Sequence, residues 1–172
     1  MSLMHVLQFP EDIEGLRTHA KPVENIDGEL QTILDNMLAT MYEHKGVGLA
    51  STQVGIPYRF FVMDTSENSD SPIIMINPEI IETHGDLEWE EGCLSIPGIY
   101  EKTKRHEHIL VRALDRDGNP FEMEATDLAG VCIQHENDHL NGDLFIDQLS
   151  RLKQNRIRKK IEKMRKEAER EL

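Results

Sequence analysis

The chain is poor in cysteine and in aromatic residues: two cysteines, one tryptophan and 5% aromatic residues among 172. Two cysteines are too few for a disulfide-stapled scaffold. No apolar run approaches the length of a membrane span. Residues 1–10 hold no basic stretch followed by a long apolar one, so no secretory signal is expected. Internal repeats and low-complexity linkers are also absent, which excludes solenoids and tethered modules. What remains is a globular chain, 38% hydrophobic, long enough to bury a core. Residues 1–172 are expected to form a single domain. The cysteine usage, with one expected at a metal and one in a helix core, fits a cytoplasmic location.

Charge is plentiful and unevenly spread. The formal net charge is −13, yet residues 151–172 hold ten Lys/Arg against four Glu, a net of +6 that leaves −19 on the rest. An acidic body discourages non-specific nucleic-acid binding, so DNA is not an expected partner. A basic C-terminal helix over about residues 150–172 suits a local contact with an anionic partner.

The densest chemistry lies in Gln134-His135-Glu136-Asn137-Asp138-His139-Leu140. Residues four apart stack on one face of a helix, so His135 and His139 can grip one divalent cation. Glu136 sits about 100° round the helix from His135, beside the cation. A carboxylate there can take a proton from a water held by the metal. The helix itself is expected from Asp127 as N-cap, Asn141-Gly142 as the stop, and Leu128, Val131, Cys132, His135 and His139 at helical spacing.

A third protein ligand is needed. Gly142 fits the longer zincin pattern, but Phe145 stands where its third histidine would be. Glu162 is near the spacing of another protease class but lies in the basic helix. Cys132 is a turn too early, about 7–8 Å along the axis from the midpoint of the histidines. Cys93 is left, in Glu91-Gly92-Cys93-Leu94-Ser95.

Together with Gly46-Val47-Gly48-Leu49-Ala50-Ser51-Thr52-Gln53, these two segments resemble the three signature motifs of the peptide deformylases, in the family's order and at its approximate separations. The similarity extends through Ile76-Asn77-Pro78 and Val111-Arg112-Ala113-Leu114-Asp115. On residue type alone Gln53 reads as an ordinary loop glutamine. The resemblance makes it the catalytic glutamine, donating with the Leu94 N–H to a developing oxyanion. The family removes the N-formyl group from the initiator methionine of new polypeptides and releases formate. By resemblance the backbone at Val47-Gly48 and Gly98-Ile99 would pair with a formylmethionyl peptide, and Val47, Gly92, Leu128, Val131 and His135 would line a methionine pocket. One thiolate and two imidazoles suit zinc; the resemblance implies Fe2+, replaceable by Ni2+, Co2+ or Zn2+. The substrate implied by the resemblance emerges from the ribosome, and the +6 charge of the basic helix suits docking on ribosomal RNA there; the same helix reads equally as a solvated face.

Hydrophobic patterning supplies the frame. A short helix is expected over residues 11–20. A longer one, capped by Asp27, carries the stripe Leu30, Ile33, Leu34, Met37, Leu38 and Met41. Strands are expected over residues 58–64, 73–76, 79–83 and 86–90, followed by a hairpin of 108–116 with 121–125. Ser150 should cap the last helix, with Ile157, Ile161, Met164 and Ala168 inward. The expected class is α+β, with antiparallel β-sheets around a central metal-binding helix and a C-terminal helix. Trp89 reads as a packing residue, and the glutamates 88, 90 and 91 as a solvated cluster with Glu91 the exception, beside the metal loop. Departures from the family pattern are Asn137, Ser51 and Lys104; the last, with Tyr100, is expected at the rim of the groove. Two other readings compete. A metalloendopeptidase lacks its third ligand here. A non-catalytic translation-associated protein with a structural metal would need four protein ligands and leaves Glu136 without a purpose.

Overall fold

The computed structural model describes residues 2–171. The elements in chain order are α1 (Ile13–Leu16), α2 (Gly28–Glu43), β1 (Gly48–Ala50), β2 (Phe60–Met63), β3 (Ile73–His84), β4 (Leu87–Glu91), β5 (Glu101–Arg105), β6 (His108–Leu114), β7 (Pro120–Thr126), α3 (Asp127–Leu140) and α4 (Arg151–Arg170), with 3₁₀ turns at Ser51–Val54 and Phe145–Gln148. A five-stranded antiparallel sheet runs β1-β2-β3-β6-β7, and β4 pairs with β5 in a separate two-stranded sheet. The α+β class is as expected.

β2 shows how the layers form. All four of its residues are buried, and successive side chains leave opposite faces. Phe60 and Val62 pack with Leu34, Met37 and Met41 of α2, whereas Phe61 and Met63 pack with Cys132, Ile133 and Leu140 of α3. The sheet thus lies between α2 and α3, and α3 is covered along its length. A third cluster joins Phe9, Leu16, Ile96 and Ile99 to Ile157 and Ile161 of α4. Arg158 lies over the Phe9 ring at 4.8 Å, and Arg165 donates to the Phe9 carbonyl at 2.8 Å and pairs with Glu11. Two arginines therefore tie α4 to the N-terminal segment.

Both long-helix caps form, with Asp27 accepting from the Leu30 N–H at 2.9 Å and Ser150 from the Lys153 N–H at 3.2 Å. Elsewhere the frame departs from expectation. The first helix shrinks to four residues because the flanking backbone is claimed elsewhere: the Phe9 N–H by the Ser95 carbonyl and the Ala20 N–H by that of Leu140. Asp127 does not cap α3. The strand β7 runs directly into the helix, so Thr126, still paired with His108, holds the N-cap position and Asp127 turns at φ 51°. The two strands expected around Asn77-Pro78 are one strand, β3, with a register shift there. Pro78 has no N–H for the ladder, and Asn77 absorbs the kink at φ 51° while its side chain brackets both backbone groups of Val23. Nothing in Glu101-Lys102-Thr103-Lys104-Arg105 reads as a strand, yet β5 forms and buries Thr103 and Arg105.

Candidate metal centre and active site

α3 turns His135, Glu136 and His139 inward, all at most 8% exposed. Just beyond β4, Cys93 meets them. The Nε2 atoms of His135 and His139 lie 3.2 Å apart, and Cys93 Sγ lies 3.4 Å from His139 Nε2. The three donor atoms fall within 4.8 Å of one another. In a tetrahedral site two nitrogens about 2.0–2.1 Å from the cation stand about 3.3 Å apart, and a nitrogen and a sulfur about 3.5 Å apart. The observed edges fit one small transition-metal ion. Cys132 stays outside this set. Burial, with the negative charges of Glu136 and Glu91, pushes its thiol pKa up, and its Sγ contacts the Val47 carbonyl at 3.6 Å.

The imidazoles are held differently. His135 Nδ1 lies 2.8 Å from Glu91 Oε1, which leaves Nε2 free to face a cation. Glu91 is clamped by Arg105 through Nε at 2.6 Å and Nη2 at 2.8 Å, and Arg105 Nη1 reaches Asp138 at 2.6 Å. Burial alone would raise the Glu91 carboxyl; the hydrogen bonds from His135 and Arg105 outweigh it and hold it at about 2. Glu91 is thus the exception to the solvated cluster. The Thr103 hydroxyl also donates to it. His139 Nδ1 is buried without a partner among the described residues. Burial and the adjacent His135 lower its pKa strongly, which favours the neutral imidazole that a metal needs.

Glu136 faces the same space. Its Oε1 is buried and unpartnered among the described residues, and burial raises its carboxyl to about 7. Gln53, in the 3₁₀ turn, is 1% exposed. Its Oε1 accepts from the Ala50 N–H at 2.9 Å, which fixes the amide orientation and turns Nε2 toward Ser95 Oγ at 3.1 Å and Cys93 Sγ at 3.6 Å. Ser51, a departure from the family pattern, is satisfied by donating to the Tyr58 carbonyl.

A cleft of about 400 Å³ opens onto these groups. Val47, Gly48, Gly92, Gly98, Ile99, Leu128 and Val131 all line it, as do Leu94 and Gln53. Two further residues line it: Tyr100 was expected at the rim, whereas Trp89 was expected only to pack. Trp89 is half-buried and lines the cleft rather than simply packing; Tyr100, 65% exposed, covers Gly92 so closely that a Cβ there would stand 2.6 Å from its ring. Lys104 is not at this rim: it is exposed on the far side of β5, its N–H donating to Gln148, and Arg105 is buried behind Glu91. Alternation along β5 separates them, a signal usable only once β5 is known to be a strand.

Comparison with known proteins decides the family. Residues 3–155 match the polypeptide deformylase family. The chain belongs to that family. It is 53% identical over 167 residues to the peptide deformylase of Chromobacterium violaceum, covering 97% of this chain and 99% of that one. The crystal structure of a peptide deformylase from Legionella pneumophila superposes with a TM-score of 0.93 at 45% identity, over 98% of this chain and 99% of that one. A Synechococcus elongatus peptide deformylase, solved in complex with actinonin, superposes at 0.86 with 41% identity, over 91% and 86% of the two chains. The deformylase reaction, hydrolytic removal of the N-formyl group from nascent peptides, is therefore the activity of this chain, and its class is a metallohydrolase.

The place of Gly48 follows from the same geometry. A Cβ on Gly48 would stand 2.9 Å from Glu136 Cδ and 2.8 Å from Cys132 Sγ. Gly48→Ala is expected to displace the Glu136 carboxylate and lower kcat/KM for a formylated peptide by about 100-fold or more. Metal content by elemental analysis should stay at the parent level; parent-like activity would show that Glu136 does not depend on this space.

Proposed function

We propose that residues 1–172 act as one deformylase domain in which Cys93, His135 and His139 hold a single Fe2+ and Glu136 moves the proton of the reaction. The observation that carries this reading is the buried Glu136 carboxyl, its Oε1 without a partner among the described residues, held at about 7 beside the converging Cys93 sulfur and two imidazoles. A carboxyl near neutrality can both accept and return a proton. When bound, the cation supplies Lewis acidity and makes hydroxide available near neutral pH.

Glu136 takes a proton from the attacking water and passes it to the methionine nitrogen as the C–N bond of the formamide breaks. Formate and a free N-terminal amine leave. Gln53 Nε2 and the Leu94 N–H donate to the carbonyl oxygen as charge collects there. Val47, Gly92, Leu128, Val131 and the ring of His135 enclose the methionine side chain, and the backbone at Val47-Gly48 and Gly98-Ile99 pairs with the extended peptide. The donor set suits several transition metals; Fe2+ is the assignment that the family likeness supports, with Ni2+, Co2+ or Zn2+ as substitutes. None of the described helices is long and apolar enough to cross a membrane. The cytoplasm, where nascent chains emerge, is the compartment that fits this substrate, and the ribosome is a partner that the basic α4 suits.

The deciding experiment measures formate released from formyl-Met-Ala-Ser by anaerobically iron-loaded protein, with acetyl-Met-Ala-Ser as control. Formate from the first alone is expected, and Glu136→Gln should lower kcat by about 100- to 10,000-fold while retaining metal. Cleavage at an internal bond instead would reassign the site to an endopeptidase. The iron form should lose activity in air, because O2 readily oxidises Fe2+ and with it the bound thiolate, and the nickel form, whose ion resists that oxidation, should persist longer; equal persistence would remove the case for iron. Lys159→Glu, Lys163→Glu and Lys166→Glu together should weaken co-sedimentation with ribosomes, and unchanged co-sedimentation would dismiss that contact.

A further inference from the structure

The cationic side chains of α4 are not equivalent. Arg158 and Arg165 are engaged with the N-terminal segment. Lys159, Lys163 and Lys166 are exposed, on the side away from buried Ile157 and Ile161. Lys153, Arg156 and Lys160 share a different strip. They border a groove of about 150 Å³ whose other walls are Ile99, Tyr100, Glu101 and Ile157.

Ile99 and Tyr100 also line the substrate cleft, so the groove and the cleft adjoin across these two residues. Lys153 is 3.5 Å from Glu101, but Arg156 and Lys160 have no carboxylate within ion-pair distance among the described residues. The surroundings sharpen the contrast, because the chain outside residues 151–172 carries a net charge of −19. An acidic segment leaving the cleft across that surface is repelled unless it follows the strip.

We propose that this groove receives acidic side chains of the substrate polypeptide, downstream of the residues held in the cleft, and so favours nascent chains with acidic early residues. The proposal rests on the reading of the cleft as the path of the formylated peptide. Three partly exposed cations are individually weak attractors. Acting together near the mouth of a site they raise capture of an oppositely charged chain, and their effect is screened by salt. The consequence belongs in KM rather than kcat, since none of the three touches the reacting atoms.

The test compares formyl-Met-Ala-Ser extended by a short run of Asp, of Lys or of Ser. At low ionic strength the Asp peptide should show a KM about fivefold or more below that of the Lys peptide, with similar kcat and a difference that shrinks as salt is added. Arg156→Glu with Lys160→Glu should abolish or invert that order and leave kcat/KM for unextended formyl-Met-Ala-Ser unchanged. Equal KM values for the Asp and Lys peptides would overturn the proposal. So would a groove filled by nucleic acid, seen as inhibition by single-stranded RNA through the same two side chains with no gain for the Asp peptide. The unextended peptide separates the two readings. If it is hydrolysed but the runs are not distinguished, the groove assignment alone is wrong; if it is not hydrolysed, the reading of the site falls and this one with it.

Discussion

Behind His135 two buried charges, Glu91 and Arg105, meet a partly exposed third, Asp138. Glu91 accepts from His135, Arg105 holds Glu91 by two hydrogen bonds, and Asp138 takes a third from Arg105. Leaving one such buried charge without its partner costs about 3–5 kcal/mol. An exposed pair such as Lys166 with Glu162 is worth about 0–1 kcal/mol. The buried set therefore governs. It joins β4, β5 and α3, so the position of His135 depends on two strands that are remote from it in the chain.

Burial of α3 does the rest. The same exclusion of water that raises the Glu136 carboxyl lowers His139 and makes Cys132 a poor ligand. One physical cause thus leaves a carboxyl near neutrality, an uncharged imidazole and a protonated thiol within a few residues of one helix. The helix can be buried because β2 is apolar on both faces: Phe61 and Met63 meet α3, while Phe60 and Val62 meet α2. Packing sets the electrostatics, and the electrostatics set what the site can do.

Legibility followed distance along the chain. His135, Glu136 and His139 are legible because four residues make about one helical turn, whatever the remainder of the fold does. Gln53 and Cys93 needed the family likeness or elimination. Gly48 was expected to admit another backbone, and the structure shows that it also admits the Glu136 carboxylate and Cys132. Trp89 and Tyr100 reach the cleft only because β4 and the loop after Gly98 fold over it. The single strand through Asn77-Pro78 was hidden because proline reads as a break, whereas β6 tolerates it through a shift in register.

Composition, the spacing of the two histidines and the apolar stripe of α2 are local properties, and the amino-acid order alone determined them: an acidic globular chain, a helix able to grip a cation, and a basic end. Tertiary structure decided what no local pattern encodes. It drew β5 out of a run of charged residues by pairing it with β4, and so gave Glu91 the arginine that holds it. It sorted the cations of α4 into those that anchor the helix, those that face solvent and those that border a groove adjoining the cleft. The physical reason is the same in each case: a charge acquires its role from what burial and strand pairing place within a few ångströms of it, and those neighbours are distant in sequence.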